Sequence, residues 1–364
     1  MRARPISRRK FFQLCGVAAS VMLHRPAFAQ QSNGGFEELL AAIPPVMERE
    51  GVPGLQIAVI RDGEIALFKS FGVVNAETRD AVTNETVFEA ASLSKPVFAY
   101  LVMKLAEDGV IDLDAPLYTI DRPPANGPSE LVEAITAKMI LSHTTGFPNW
   151  HVSSKPLTLG RSQGTQFSYS GMAYVYLQKV IEKKTGAALD VLLQERVFTP
   201  FGMTSASMIA REDYEKRQAF GHGKSGKPAR FPIRTANAAS SLVCTAEDYA
   251  RFVTALLKPP PADKFHLKPE SVQQMLTPRV VAAPGVQWGL GVGLETPDAA
   301  PPLFFQWGNN NDANTSFVDG CPTTGDGVVI MTNAGAGLRV CGEVLPLGVP
   351  GEHPVLKWRR IFPA

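Results

Sequence analysis

Ser92 and Lys95 stand three residues apart in the run FEAASLSKPVFAYLVMKL that begins at Phe88. Residues at this spacing share one face of a helix, so the amine can reach the hydroxyl and take its proton, which makes an activated serine. The same spacing recurs at Ser7 and Lys10. The tetrapeptide alone therefore leaves two readings open: a nucleophile with its base, or a helix-capping serine followed by a solvent-facing lysine.

The elements around the pair must decide. Leu93, Val97, Phe98, Leu101, Val102 and Leu105 recur at helical spacing after Ser92, and Pro96 is tolerable in a first turn, where its missing N–H has no partner to lose. Gly109 closes this helix. Upstream, the amphipathic segment Phe36 to Glu50 is broken by Pro44 and Pro45, and two strand-like runs, Leu55 to Ile60 and Ile65 to Gly72, meet at Asp62-Gly63, a dipeptide suited to a tight hairpin turn. The middle of the chain reads as helix and loop. Tyr174 to Lys184 ends at Gly186, and Ala246 to Lys258 begins after Thr245 with Asp248 three residues on as a partial capping box. The last third returns to strands at Gly289 to Glu295, Leu303 to Trp307, Thr315 to Val318 and Val328 to Thr332. Strands at both ends with helices between them predict an α+β fold: one antiparallel sheet assembled from the two chain ends, and a helical lobe inserted between. The crevice between sheet and lobe is the natural pocket, and Ser92 opens onto it.

Bulk properties narrow the partners. Across 364 residues, 36 basic and 34 acidic side chains leave a formal charge of +2 with no basic stripe, which argues against nucleic acid. The amino terminus reads as an address: basic Met1 to Lys10, apolar Phe11 to Leu23, then Ala27, Phe28, Ala29 with cleavage expected before Gln30. Ser7-Arg8-Arg9-Lys10-Phe11-Phe12 resembles a bacterial twin-arginine export signal, a basic Sec signal being the alternative. Either delivers residues 30–364, read as one domain, to the periplasm or beyond without a stable membrane anchor. Cys244, Cys321 and Cys341 remain after cleavage. They allow one disulfide, Cys321 to Cys341, or three buried thiols. The spacings match no zinc pattern, and no metal or cofactor is expected.

Further segments occur in order: ILSHTTGFP from Ile140, FSYSG from Phe167, PFGM from Pro200, GHG from Gly221, ANAASSLVCTAEDYARF from Ala236, FQWGNNN from Phe305 and GVVIMTN from Gly327. Together they resemble the serine hydrolases related to class C β-lactamases and penicillin-binding proteins, a family that includes family VIII carboxylesterases and certain D-amino-acid peptidases. The resemblance spans about Leu39 to Asn333. It implies Ser92 as nucleophile, Lys95 as its amine partner and Tyr169 as general base. A tyrosine of pKa about 10 and a lysine of about 10.4 are both mostly protonated near pH 7, and shifting either by about three units takes roughly 4 kcal/mol of environment. Which of the two accepts the first proton is open at this point. The resemblance also implies an oxyanion hole from the backbone amides of Ser92 and Asn309.

Two departures bear on substrate. Gly171 stands where the family's second motif usually ends in asparagine, and Gln306-Trp307-Gly308 stands where lactamases and D,D-peptidases have K-T-G. Loss of that lysine removes an attraction for a substrate carboxylate of up to about 4 kcal/mol at about 4 Å and an effective dielectric near 20. A neutral ester is therefore preferred over a penicillin or D-alanyl-D-alanine terminus. Arg339 reads first as a surface residue, with replacement of the lost charge as its functional alternative. The expected substrate-binding set is Gly171, Gln306, Trp307, Gly308 and Asn309, with Phe147 and Trp150 either lining the acyl pocket or packing under the loop. His143 and His222 read as structural. The expectation is a serine hydrolase of small ester or amide substrates, esterase-like. Its alternatives are β-lactamase or D-alanyl-D-alanine carboxypeptidase activity, and a catalytically silent binding protein.

Overall fold

Gly54–Arg61 (β1) reads GLQIAVIR, and every residue but the last is buried. A strand covered on both faces carries a continuous apolar run rather than an alternation, which marks β1 as interior to a sheet. It turns back into Glu64–Gly72 (β2) at Asp62 and Gly63, both at positive φ (49° and 75°), which suits the right-handed twist of a two-residue hairpin. The other strands come from the last third of the chain: Val280–Ala283 (β3), Val286–Trp288 (β4), Gly293–Glu295 (β5), Leu303–Asn310 (β6), Asn314–Cys321 (β7) and Asp326–Thr332 (β8). The sheet order is β2-β1-β8-β7-β6-β5-β4-β3, antiparallel throughout, with Leu55 opposite Thr332 where the two chain ends meet. In this computed structural model the described residues are 35–125, 129–150, 157, 159, 163–224, 227–230 and 232–362. The expected export signal lies outside them.

Each sheet face has its own cover. Glu37–Glu50 (α1) and Gly337–Gly348 (α5) lie with the C-terminal segment on one face, closing a core of Leu55, Ile57, Val59, Phe305, Phe317 and Val340. Ala246–Leu257 (α4) covers the other face, continuous with the helical lobe built around Ser94–Glu107 (α2) and Gly171–Thr185 (α3). Every side chain of α2 from Ser94 to Leu105 is buried. It is a helix buried all round, not a surface amphipath.

The structure corrects several sequence expectations. α1 runs unbroken through Pro44 and Pro45, whose side chains are exposed while Ile43, Val46 and Met47 pack inward. Cys244, Cys321 and Cys341 are all free, buried thiols. Of the two cysteine readings, that of three buried thiols holds and the Cys321–Cys341 pairing does not; Cys341 lies within α5. The hairpin β3–β4 was not expected, since Val280 to Ala283 is only partly buried and offers little alternation. The Thr245–Asp248 capping box and the left-handed Gly186 cap form as expected. Among the described residues, no helix is long and apolar enough to cross a membrane.

Candidate active site

Strand Phe88–Ala91 leads directly into α2, and the reversal is sharp. Ala91, a non-glycine residue, sits at φ 49°, in left-handed space that costs about 1 kcal/mol or more and so must be held by its surroundings. Ser316 Oγ donates to Ala90 O at 2.7 Å, Ser94 Oγ donates to Ala91 O at 2.6 Å, and Leu242 N donates to Ser94 Oγ at 3.0 Å. These bonds pin the turn between β7 and Leu242–Cys244, leaving Ser92 at the mouth of the crevice, two residues before the first helical residue.

Lys95 is 1% exposed. Its Nζ donates to Ser92 Oγ at 2.9 Å and to Ala239 O at 2.7 Å, and lies 4.9 Å from the centre of the Tyr169 ring. Among the described residues no carboxylate pairs with it. Burial without counter-charge disfavours the ammonium, which lowers its pKa to about 7. The Ala239 carbonyl is held in turn by α3: Gln178 Nε2 donates to Ala236 O at 3.0 Å, and Gln178 Oε1 accepts from Ala238 N at 2.9 Å. That is the physical task of the segment beginning at Ala236.

Tyr169 arrives on the loop that caps α3. Ser170 Oγ accepts from Ala173 N at 3.0 Å and donates to Pro148 O at 2.7 Å, while Ser170 N donates to His143 Nδ1 at 3.0 Å. The segments around His143 and Tyr169 are thereby clasped, and the two rings lie 4.3 Å apart. His143 is held neutral, its pKa well below the usual value because of burial and then the positive charges of Lys95 and Arg360. Its task is positional, as is that of His222, whose Nε2 accepts from Ala76 N at 3.1 Å. The Tyr169 hydroxyl accepts from Gln306 Nε2 at 2.9 Å and is hydrogen-bonded with Ser92. Burial raises its pKa to about 12, against those two hydrogen bonds.

Ser92, Asn149, Tyr169, Trp307, Asn309, Asn311, Asp312 and Arg360 line a pocket of about 550 Å³. A wider groove of about 1160 Å³ runs past Thr78 and Arg211, but no serine–lysine pair lines it. The chemistry selects the smaller pocket.

The family model described as Beta-lactamase matches residues 39–340. The chain belongs to the Beta-lactamase family. Penicillin-binding protein 4 of Amycolatopsis lactamdurans is 30% identical over a stretch covering 55% of this chain and 58% of that protein, so the chain spans less than two thirds of that relative. Two solved structures share the fold. A class C beta-lactamase superposes with a TM-score of 0.74 at 17% identity, covering 87% of this chain and 97% of the other. The octameric penicillin-binding protein homologue from Pyrococcus abyssi gives 0.70 at 23% identity, covering 85% and 77%.

In this Beta-lactamase-family chain the expected substrate-binding set divides. Asn309 lines the pocket, its side chain locked to Asp312 by bonds of 2.8 and 2.9 Å. Trp307 also lines it, but it is only 9% exposed and packs on Tyr169 with ring centres 4.7 Å apart, so it steadies the phenol more than it forms an open apolar wall. Gln306 is fully buried and spends both of its Nε2 bonds on Tyr169 and on Trp307 O. It positions the tyrosine and does not face substrate. Gly308 allows close approach: a Cβ there would lie 2.3 Å from Ser316 Oγ and 2.6 Å from Ala90 O. Phe147 lies in the core, fully buried, and does not line the pocket. Trp150 is exposed and lies over Gly171, where a Cβ would meet its ring at 2.8 Å.

Four lining residues were not expected: Asn149, Asn311, Asp312 and Arg360. Asn149 Oδ1 accepts from Gly171 N at 2.9 Å, so a side-chain amide borders the site from another loop where the second motif lacks one. Arg360 places its guanidinium 5.4 Å from the Tyr169 ring centre and makes no ion pair among the described residues. Arg339, the expected alternative cation, pairs with Glu50 at the end of α1. Nothing local in a terminal WRRIFPA marks Arg360 as a pocket residue.

Proposed function

We propose that the chain hydrolyses small carboxylic esters through an acyl-enzyme on Ser92. The observation that carries this reading is the 2.9 Å contact between Ser92 Oγ and a buried lysine whose pKa lies at about 7. Near neutral pH about half of such an amine is unprotonated and can accept the serine proton as Oγ attacks the carbonyl carbon. Tyr169, raised to about 12, remains a phenol over that range. It passes a proton from the lysine ammonium to the leaving alkoxide, and Lys95 is the first acceptor. The tetrahedral oxyanion sits against the backbone amides of Ser92 and Asn309. Collapse breaks the bond to the leaving group, and water then attacks the acyl-serine by the same route in reverse.

The withdrawal of Gln306 from the pocket supports a neutral ester over a substrate that needs a cation at that place. One observation favours a second reading, a carboxylate-bearing ester, lactam or peptide: the unpaired guanidinium of Arg360. We also propose, from the leader read at Met1 to Ala29, that the reaction takes place outside the cytoplasm; amino-terminal sequencing of the exported protein, expected to start at Gln30, tests this.

The deciding experiment is intact-mass analysis after exposure to a fluorophosphonate and, separately, to a fluorescent penicillin. A phosphonate adduct lost in Ser92→Ala, with p-nitrophenyl butyrate hydrolysis and no nitrocefin turnover, supports the esterase. Rapid nitrocefin turnover moves the assignment to the carboxylate-bearing class. No adduct from either reagent on folded protein overturns catalysis altogether and leaves a binding protein.

A further inference from the structure

Away from the pocket, three ionisable side chains converge under the C-terminal segment. Glu295 ends β5 and Asp319 lies in β7, and the strand between them, β6, places Leu303 opposite the first and Phe305 opposite the second. Positions two apart on a strand share a face, so both carboxylates emerge on the same side of the sheet. His353 descends onto them from the segment after α5. All three are buried, Glu295 and Asp319 at 0% exposure. One donor atom from each lies within 4.8 Å of the other two.

The hydrogen bonds around this cluster point inward. His353 Nε2 lies 2.7 Å from Val349 O, a pure acceptor, so that nitrogen carries the proton. Nδ1 then faces Glu295 Oε1 at 3.4 Å and Asp319 Oδ2 at 3.9 Å. Protonated, Nδ1 donates to Glu295 Oε1; deprotonated, it aims a lone pair at both carboxylates. Glu295 Oε2 accepts from Val355 N at 2.7 Å, which fixes the carboxylate and leaves Oε1 turned to the centre. Among the described residues the hydrogen-bond partner of Asp319 is the other carboxylate, Glu295, through a shared proton. A fully buried carboxylate pair is strongly disfavoured unless a proton or a cation neutralises it.

We propose that Glu295, Asp319 and His353 bind one divalent transition ion of the zinc type, which fastens the C-terminal segment to the sheet. Such an ion takes the place of the protons at this centre, the one on Nδ1 and the one between Glu295 and Asp319. Bonds of about 2.0–2.2 Å place neighbouring ligand atoms roughly 3.3–3.6 Å apart, close to the spacing already present. The Val349 carbonyl and the Val355 amide are the outer partners that hold an imidazole and a carboxylate in ligating orientation. The sequence could not show the site, because its ligands lie on two strands and a terminal segment with no short spacing between them. Its consequence reaches the pocket, since the segment anchored at His353 is the one that delivers Arg360.

The test uses the full chain without a polyhistidine tag, produced in zinc-supplemented medium. Inductively coupled plasma mass spectrometry after gel filtration is expected to find one zinc per chain. Refolding with Co²⁺ should give visible d–d absorption saturating at one equivalent, and either metal should raise Tm by about 5 °C over protein refolded in chelator. Asp319→Asn, which keeps size and removes the ligating charge, should lose the stoichiometric ion and the Tm response. Native protein with under about 0.1 equivalent of any divalent metal, and no Co²⁺ spectrum, overturns the proposal in favour of a proton shared between Glu295 and Asp319. Stoichiometric metal retained by a folded Asp319→Asn overturns the site. Should that variant fail to fold, the native metal content and Co²⁺ spectrum decide by themselves.

Discussion

Around Lys95 a single buried cation is ringed by neutral acceptors, the Ser92 hydroxyl and the Ala239 carbonyl. Around Asp319 two buried carboxylates face one imidazole and each other. One strand, β6, connects the regions: its end near Gln306 to Asn309 borders the candidate pocket, and its beginning, Leu303 to Phe305, runs between Glu295 and Asp319. The contrast separates two uses of burial. Lys95 keeps its hydrogen bonds and loses only its counter-charge, so it shifts toward a neutral, proton-accepting form without being left unpaired. Asp319 has only the Glu295 carboxylate and the His353 imidazole beside it, so a proton or a cation must neutralise the pair.

The largest expected effect breaks the first half of this contrast. Lys95→Met should lower turnover by about a thousandfold or more while raising stability, because the buried charge is gone. The sign follows from linkage. The lysine binds its proton up to about pH 7 in the native state and up to about 10.5 in the unfolded state, so the unfolded chain holds more protons between those values. That difference, roughly 5 kcal/mol at full extent, opposes folding below pH 7 and fades as pH rises toward 10.5. Native stability in urea should therefore gain more between pH 7 and pH 9.5 than that of Lys95→Met. Equal gains would show that the lysine is charged in the fold.

Next in size, Tyr169→Phe should reduce kcat by about a hundredfold, the usual scale for a proton-transfer group. Near-normal turnover would mean that Lys95 serves the leaving group unaided. Gln306→Met, which removes the donor to the phenol, is expected to cost about tenfold in kcat with KM unchanged. A rise in KM instead would return Gln306 to the substrate-binding set.

The pH dependence tests which group titrates. With Lys95 as base, kcat/KM should rise through an apparent pKa near 7 and remain level to about pH 9, since Tyr169 at about 12 does not ionise there. A rise first seen above pH 9 would exclude a neutral lysine as the acceptor. The smallest effect is expected from Arg360→Ala: under twofold on a neutral ester, but about tenfold or more in KM for the same ester bearing a carboxylate. Equal, small effects on both would remove Arg360 from specificity.

How much was legible depended on how locally each feature is encoded. The hairpin at Asp62-Gly63, the helix after Ser92, the Thr245–Asp248 cap and the sheet joined from both chain ends were readable, because turn chemistry and periodicity act within a few residues. Ser92, Lys95 and Tyr169 were readable as an ordered set, and the fold does bring them together. Gln306 was read correctly as an absent lysine and wrongly as a substrate contact, since strand alternation does not reveal that its amide turns back to the phenol. Phe147 and Trp150 stood out by bulk, whereas Asn149 between them reaches the pocket through the direction of its loop.

By itself the sequence determined which groups could react: a hydroxyl, an amine and a phenol on segments whose local preferences place them at a strand-to-helix turn, a helix and a capping loop. Only the tertiary structure decided what those groups are worth. The pKa of Lys95 depends on counter-charges being absent in three dimensions, the state of Tyr169 on a glutamine far along the chain, and the pocket's free cation on a terminal segment folded back across the sheet. Electrostatic energies are set by distances and burial across the whole fold, and these are not written in any local pattern of residues.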